Sequence, residues 1–289
     1  MTRATVVSIG ETLWDVLPTG EFIGGAPFNV AAHMARLGAR TFLVSRVGAD
    51  PRGTKALAAA EAIGIDTSLI QIDEHHPTGI AQAELDATGS ARYHFPTPVA
   101  WEYIEAPAAT LQVASEADAL IYGVLSQRCE HARPALRSLI KANRWRVFDP
   151  NLRPPAIDEK VLTWGLAHAN LVKLNETECD VVAGILNASS EPESLRSSLA
   201  HHYGVESLCI TRGEQSSLLY HAGSWHEQPA IPVTVVDTIG AGDSFLAMLV
   251  VALLSGQPPA AALERASRLA ALVVARAGAV PMYDPGDFR

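Results

Sequence analysis

The feature that most constrains the fold is a regular alternation of two kinds of segment. Short β-rich runs bounded by Gly, Pro or Asp alternate with Ala- and Leu-rich stretches of helical period. Strands that are apolar almost throughout are typical of a parallel sheet covered by helices on both faces. The alternation therefore predicts an α/β fold with a doubly wound, mostly parallel sheet. Strands are expected within 4–10, 41–48, 118–124, 144–149, 169–175, 206–211 and 217–221, and in the run that begins at Val233.

Two stretches interrupt this alternation and indicate a small β flap. Residues 11–25 and about 73–101 show no helical period. Within 79–95, the runs GIAQAEL and ARYHF flank the turn-forming residues DATGS, which is the pattern of a hairpin. The two stretches form either a separate flap or edge strands of the main sheet, and the sequence leaves both readings open. We expect a single α/β domain over 1–289, with a lid built from the two stretches.

Composition and charge exclude several classes of protein. With 48% hydrophobic and 18% charged residues, the chain is predicted to be a soluble globular protein. Its net charge of −9 argues against a nucleic-acid binder. The longest apolar run, 245–254, is far shorter than the roughly 20 residues that cross a bilayer, and predicts a buried helix. Cys129, Cys179 and Cys209 are widely spaced and no secretory signal is recognisable, so we expect a cytoplasmic protein without disulfides or zinc.

The segment with the most chemical content is the run of small residues before that apolar helix, Gly240, Ala241, Gly242 and Asp243. Small residues allow a ligand to approach the backbone, and the helix start offers unpaired N–H groups with about half a positive charge. Phosphate fits such a site, whereas a carboxylate there suits proton abstraction from an attacking hydroxyl. The alternative is that Asp243, or its neighbour Ser244, caps the helix. Walker-type and dinucleotide-binding motifs do not match this turn.

Two further segments place polar side chains where ligands bind in parallel sheets. Asn29 lies near a helix start after Gly24, Gly25 and Pro27, where its amide can both donate to and accept from a polyol. Asp15 follows the first strand and is expected at the crevice beyond the carboxyl ends of the strands. The plainer alternatives are helix punctuation for Asn29 and a solvated loop for Asp15.

Two other strand ends also carry polar residues. Asn175 and Glu178 match a capping box, and this structural interpretation is favoured on local grounds. The same geometry would aim Glu178 into the crevice, where it could hold Mg²⁺ through water. DPNLR (149–153) ends with Arg153, whose guanidinium suits either phosphate and sugar oxygens or a loop salt bridge.

Taken together and in this order, these segments resemble the ribokinase-like (PfkB-type) carbohydrate kinases over nearly the whole chain. GGAPFNVA, with the following LG and with VGADPRG (47–53), is similar to the N-terminal signature of the family, and DTIGAGDSFLA (237–247) to its C-terminal signature. DPNLR, KLNETE (173–178) and ITRGEQSS (210–217) also match family segments. GETLWDVLP, PVAWE and YGVLSQR look most like bacterial fructokinases.

The resemblance implies ATP-dependent phosphorylation of a primary hydroxyl of a small sugar, with D-fructose as the first candidate and a flap that closes over it. Ribose, 2-keto-3-deoxygluconate and a nucleoside are alternative acceptors, and a catalytically silent sugar-binding sensor is an alternative function. By position, Asp243 is implied as the base, and the backbone of Gly240, Ala241 and Gly242 as the anion hole. The family often pairs through the flap, which implies a homodimer; no nucleic-acid or membrane partner is expected.

The resemblance also assigns the remaining site residues. The implied sugar-binding residues are Asp15, Gly25, Asn29 and Arg153. The implied residues for the nucleotide and Mg²⁺ are Asn175, Glu178, Thr211 and Gly213, with Glu178 reaching the ion through water. For a monovalent cation such as K⁺, the implied ligands are Asp237 and the Ile239 carbonyl.

Overall fold

The computed structural model describes residues 3–17, 20–85, 91–152 and 158–288. The strands are β1 Thr5–Ile9, β2 Leu13–Leu17, β3 Gly20–Gly24, β4 Arg40–Gly48, β5 Ile70–Asp73, β6 Gly79–Leu85, β7 Ala91–His94, β8 Ala119–Tyr122, β9 Arg146–Phe148, β10 Leu171–Asn175, β11 Ser207–Arg212, β12 Ser216–His221 and β13 Ser224–Pro229. The α-helices are α1 Ala26–Arg36, α2 Pro51–Ile63, α3 Ala108–Glu116, α4 Arg133–Ala142, α5 Glu159–Leu166, α6 Glu176–Leu186, α7 Pro192–Tyr203, α8 Ala241–Leu254 and α9 Pro259–Val274.

A large sheet forms the centre of the molecule, with the strand order β13-β12-β11-β10-β9-β8-β1-β4-β5. Every neighbouring pair from β11 to β5 is parallel. The strands β12 and β13 extend one edge in antiparallel orientation. The predicted mostly parallel sheet is confirmed.

Helices cover both faces of this sheet, as predicted. The side chains of Val6 and Leu171 pack on one face with residues of α1 and α8. Their neighbours Val7 and Val172 pack on the other face with residues of α4 to α7. Successive residues of a strand point to opposite faces, so strands that are apolar throughout fill both layers.

The apolar run that was predicted to be a buried helix forms most of α8. Phe245, Leu246 and Leu249 are buried, and the helix packs against α1 and α9. Its all-round hydrophobicity is thus explained by burial within the protein. Within the described part of the chain, no helix has both the length and the apolarity that a membrane span requires.

A second, four-stranded sheet has the order β3-β2-β6-β7. Its strands come from the two stretches that were predicted to form a flap, and β6 and β7 form the predicted hairpin. The turn of that hairpin, residues 86–90, lies outside the described residues. Because this sheet is separate from the large one, the alternative of edge strands is wrong. We refer to it below as the small sheet.

Asp50 ties the small sheet to the large one. Its carboxylate accepts a hydrogen bond from the Gly53 amide in the first turn of α2 (2.8 Å) and another from the Thr78 amide just before β6 (2.7 Å). The Thr78 hydroxyl also donates to Asp50 (2.8 Å) and accepts from the Gly48 amide (2.9 Å). The segment VGADPRG therefore fixes the position at which β6 of the small sheet begins.

The segment before α8 differs from the prediction, because the run that begins at Val233 is not a strand. Val235 and Val236 are each 61% exposed, and the amides of Val236 and Asp237 donate to the Val274 carbonyl at the end of α9 (2.8 and 3.2 Å). Hydrogen bonding to a helix end thus replaces strand pairing. Conversely, β13 was not predicted, because its sequence SWHEQP lacks the apolar pattern of a strand.

Candidate active site

A cleft of about 1340 Å³ opens at the carboxyl ends of the parallel strands. The segments that follow β1, β8, β9 and β10 line it, together with the first turn of α8 and with Asp15 and Ala81 of the small sheet. Ligands of open parallel sheets bind at this edge. Of the predicted site residues, the structure brings to this one cleft Asp15, Gly25, Asn29, Asn175, Thr211, Gly213, Ile239, Gly240, Ala241, Gly242 and Asp243.

The backbone at the start of α8 has the properties of an anion site. Gly240 is the N-cap residue, with φ of 76°, and a Cβ at this position would lie 2.5 Å from the Ala279 carbonyl oxygen, so that only glycine fits. The Ala241 amide donates a long hydrogen bond to the Thr238 carbonyl (3.3 Å). Within the described residues, the amides of Gly240 and Gly242 have no acceptor. These two amides and the helix dipole are available to an anion.

The predicted base contacts a residue of the N-terminal signature. The Asn29 Nδ2 donates to the Asp243 Oδ2 (2.8 Å), and both side chains are buried. The Asn29 Oδ1 is also buried and has no hydrogen-bond partner within the described residues. The N-cap position offers no side chain, and the Ser244 hydroxyl donates to the Ala241 carbonyl (2.9 Å) instead of capping the helix. Asn29 thus orients the carboxylate and keeps one acceptor for a ligand hydroxyl.

The small sheet brings a second carboxylate to the cleft. Asp15 lies in β2, paired with Phe22 of β3 and Ala81 of β6. The Gly24 Cα faces the Asp15 carboxylate so closely that a Cβ would collide with it, and a Cβ at Gly25 (φ of 102°) would lie 2.5 Å from the Glu11 carbonyl oxygen. The glycine pair is therefore needed for β3 to turn into α1. Arg153, the other predicted sugar ligand, lies outside the described residues.

Glu178 and Asn175 form both hydrogen bonds of the capping box that was favoured on local grounds. The Asn175 Oδ1 accepts from the Glu178 amide (2.9 Å), and the Glu178 Oε2 accepts from the Asn175 amide (2.8 Å). The Leu152 amide donates to the other oxygen, Oε1 (2.9 Å). Burial raises the pKa of Glu178, and the negative charge of Asp149 adds to this effect. Glu178 is thus held below the surface of the cleft.

The chemistry at this end of the cleft fits Mg²⁺ that arrives with nucleotide phosphates. The side chains of Asp149, Asn175 and Glu176 line the cleft, and they offer the oxygen ligands that Mg²⁺ prefers. Among the described residues, no three His, Cys, Asp or Glu side chains are close enough together to hold a metal ion by themselves. The ion would therefore depend on phosphate oxygens and water, with Glu178 acting through water.

Asp237 fastens the turn before α8 to the segment after α9. Its Oδ1 accepts from the Ile239 amide and its Oδ2 from the Gly278 amide, both at 3.0 Å. These bonds hold the Gly240 turn against Ala279. A cation bound by Asp237 and the Ile239 carbonyl stays a prediction.

The other end of the cleft has an apolar wall that the sequence did not reveal. Thr211 and Gly213, at the end of β11, also line the cleft, and their contact with a nucleotide stays a prediction. Val233 and Val235 of the segment before α8 and Val274 of α9 line the cleft as well, and the Val236 amide donates to the Val274 carbonyl. Val233 is 40% and Val235 61% exposed. A partly exposed apolar wall suits the planar base of a nucleotide.

A buried ion pair in the cleft was also missed by sequence reasoning. The Lys173 Nζ donates to the Asp149 Oδ2 at 2.8 Å, and both side chains are 7% exposed. The only signal in the sequence is a lysine within an otherwise apolar strand. Such a residue is unusual because a buried charge is costly unless it is paired.

Comparisons with known proteins agree with this geometry. A sequence profile described as "pfkB family carbohydrate kinase" matches residues 6–284. A fructokinase of Salmonella typhimurium is 30% identical over 278 residues, which cover 89% of this chain and 87% of the relative. A crystal structure of fructokinase with bound ATP from Xylella fastidiosa superposes with a TM-score of 0.83 at 25% identity, covering 96% of this chain and 94% of that one. Fructokinase from Vibrio cholerae O395, in its form with fructose, ADP and calcium ion bound, superposes with a TM-score of 0.79 at 23% identity and the same coverage. The predicted ribokinase-like fold is confirmed.

Proposed function

Because the chain belongs to the pfkB family of carbohydrate kinases, we propose that it transfers the γ-phosphoryl group of ATP to the primary hydroxyl of D-fructose, forming fructose 6-phosphate. The observation that carries this proposal is the contact of Asn29 with Asp243. It joins the two signatures, 214 residues apart, beside a turn whose amides suit phosphate. The choice of fructose is supported by the similarity to the Salmonella typhimurium fructokinase.

The reaction follows from the positions of these groups. Asp15 and Asn29 bind sugar hydroxyls, and Asp243 accepts the hydroxyl proton as the sugar oxygen bonds to the γ-phosphorus. The bond from that phosphorus to the β–γ bridging oxygen breaks, and ADP leaves with the electron pair. The amides of Gly240 and Gly242 stabilise the peripheral phosphoryl oxygens. When bound, Mg²⁺ neutralises polyphosphate charge.

The small sheet acts as a lid over the sugar in this proposal. Asp15 lies in the small sheet and also lines the cleft, so that sugar binding to Asp15 would hold the sheet against the large one. A closed lid keeps water away from the phosphoryl group. The hydrogen bonds that Thr78 donates to Asp50 would fix one end of β6 as the sheet closes.

Three further features belong to the same proposal. K⁺ binds at Asp237 and the Ile239 carbonyl and strengthens the turn before α8. Two copies of the chain pair through the small sheet, where Phe22 is 48% exposed. The protein works in the cytoplasm, where ATP is available. Its three cysteines are free, which agrees with a reducing compartment.

A coupled assay of ADP release across a panel of acceptors tests the proposal. The panel contains fructose, ribose, 2-keto-3-deoxygluconate and adenosine, each with and without K⁺. We expect the highest kcat/KM with fructose. A site built to bind a hydroxyl lowers kcat/KM for an analogue that lacks it by up to ~10⁴-fold. A higher value with another acceptor would contradict the substrate but not the chemistry. Sugar binding without ADP release would instead support the silent sensor.

A further inference from the structure

Lys173 lines the cleft beside Gly242 at the start of α8, and the reaction described above does not use it. It occupies a strand, β10, whose residues Val172 and Leu174 join the core on one face of the sheet. The alternation of side chains therefore points Lys173 to the opposite face, where α8 begins. The residue is 6% exposed and lines the cleft. An ammonium group is thus buried where phosphate is expected.

The surroundings of the ammonium leave it partly unsatisfied. The Asp149 Oδ2 accepts one hydrogen bond at 2.8 Å, and a Cβ placed on Gly242 would lie 2.8 Å from the Lys173 Nζ. Gly242 thus leaves space for the ammonium next to the first turn of α8. An ammonium has three N–H groups, and within the described residues only Asp149 accepts from this one. The others are available to a ligand oxygen.

The charge of the described part of the cleft favours such a group. Among the described lining residues, Lys173 is the only lysine or arginine, whereas the carboxylates are Glu11, Asp15, Asp149, Glu176, Glu214 and Asp243. Such a cleft repels polyphosphate unless positive charge is placed at the reacting end. Burial lowers the pKa of Lys173, but the negative charges of Asp149 and Glu178 outweigh it and raise the pKa overall. The lysine therefore stays charged at neutral pH.

A purely structural alternative is that Lys173 does no more than neutralise Asp149. Buried ion pairs of this kind can often be replaced by neutral residues without loss of stability. The alternative predicts that removing both charges restores a normal enzyme. It does not explain why the ammonium adjoins the turn whose Gly240 and Gly242 amides are available to an anion.

We infer that Lys173 is a further residue of the phosphoryl-transfer site, whose ammonium, held by Asp149 against the start of α8, donates a hydrogen bond to an oxygen of the transferred phosphoryl group. The inference rests on the phosphoryl transfer proposed above. Bond formation to the sugar oxygen and bond breaking to ADP leave negative charge on the peripheral oxygens, which the fixed ammonium stabilises. The hydroxyl proton goes to Asp243, and Lys173 keeps its own protons throughout.

The first test compares Lys173→Met, Asp149→Asn and the double variant with the wild type, using the acceptor that the wild type phosphorylates best. Removing one donor to a developing anion typically costs about 10²–10³-fold in kcat, and we expect this loss in Lys173→Met. The kcat of the double variant should stay at least ~10²-fold below the kcat of Asp149→Asn, because only the double variant also lacks the ammonium donor. A double variant that matches Asp149→Asn within a few-fold overturns the inference.

The second test does not depend on turnover. Thermal unfolding is followed with MgADP alone and with MgADP plus aluminium fluoride, which mimics the phosphoryl group in the transition state of transfer. In the wild type, aluminium fluoride should raise Tm further; in Lys173→Met, the rise with MgADP should remain and the additional rise should disappear. An unchanged additional rise overturns the inference. If unpaired Asp149 prevents Lys173→Met from folding, the double variant and Asp149→Asn provide the same comparison.

The two tests also separate this inference from the proposed function. A wild type that releases no ADP with any acceptor overturns the kinase proposal. The aluminium fluoride comparison still decides whether Lys173 contacts a phosphoryl mimic.

Discussion

At the scale of single residues, the cleft depends on side chains that hold one another in place. Asn29 donates to Asp243, and Asp149 accepts from Lys173. Each partner is buried. Removing one side chain therefore takes a hydrogen bond away from the other in a buried position, which is destabilising. Variants at these positions therefore need isosteric replacements, which change the charge and keep the shape.

Asp243→Asn tests the base at this scale. The amide keeps the size of the side chain but cannot accept the hydroxyl proton, so kcat should fall by about 10²–10⁴-fold while the protein folds normally. The measurement is the ADP-release rate together with the unfolding temperature. Asp180→Asn, an exposed position on α6, is the matched control and should retain full activity. Near-native turnover of Asp243→Asn would refute the assignment of the base.

Gly242→Ala tests the space beside Lys173. The added Cβ would lie 2.8 Å from the Lys173 Nζ, so the ammonium must shift. We expect kcat to fall by at least ~10-fold, which is less than the loss expected for Lys173→Met. The helical Gly184 has open space around a Cβ, and Gly184→Ala should raise the free energy of unfolding by about 0.5–1 kcal/mol with kcat unchanged. Equal kcat values for the two variants would contradict the crowded position of Lys173.

At the scale of secondary-structure elements, the segment after α9 joins α1 to the turn before α8. His33 of α1 contacts the Tyr283 hydroxyl through Nδ1 and the Ala279 carbonyl through Nε2, both at 2.9 Å. Ala279 in turn lies against Gly240. In the neutral tautomer with hydrogen on Nε2, both contacts are satisfied, since Nδ1 then accepts from the tyrosine. The turn before α8 is thus supported by His33, which is not among the residues that line the cleft.

The protonation of His33 should make stability pH-dependent. Burial lowers the pKa of His33 to about 4 from its ordinary value of 6.5. The unfolded chain then binds the proton more readily, so stability is fully present above about pH 6.5 and decreases as pH falls toward 4, by up to roughly 3 kcal/mol. Urea unfolding between pH 7 and pH 4 measures this decrease. The variant His33→Gln should show a smaller decrease over the same range, and an identical decrease would contradict the assignment.

The alternation in the sequence was sufficient to predict most elements, because burial on both faces makes the strands of a parallel sheet apolar throughout. It was insufficient for the segment that contains Val235, since the same apolar residues also line a ligand cleft. That Asp243 and Asn29 lie in one cleft could be predicted from their signatures. The contact of Lys173 with Asp149 could not, because it depends on which face of β10 meets α8, a tertiary feature.

At the scale of the whole molecule, the cleft is lined by residues of both sheets, and the proposed reaction would use both. Lys173 lies in the large sheet, and Asn29 and Asp243 lie in the first turns of two helices that pack on it, whereas Asp15 comes from the small sheet. Sugar bound between them would bring the sheets together. Without sugar, the phosphoryl site should stay open to water and lack the geometry for transfer.

ATP hydrolysis in the absence of sugar should accordingly be slow. Water can replace the sugar hydroxyl, but it makes no contacts that would draw the small sheet over the cleft. We expect ADP release to rise by at least ~10²-fold when the acceptor is added, because well-positioned reactants gain far more than this from proximity. The control is Asp243→Asn, in which acceptor should give little increase. Rapid hydrolysis without acceptor would contradict the proposed closure.

The small sheet takes its strands from two distant stretches of chain, with β2 paired in parallel to β6. A contiguous fragment that contains it must also carry α1, β4, α2 and β5, so grafting specificity from a relative without these elements would require exchanging both stretches at once. A chimera that received only one of them would place foreign side chains opposite native ones across the β2–β6 ladder. Recombination between relatives should thus preserve acceptor choice only when both stretches come from the same parent.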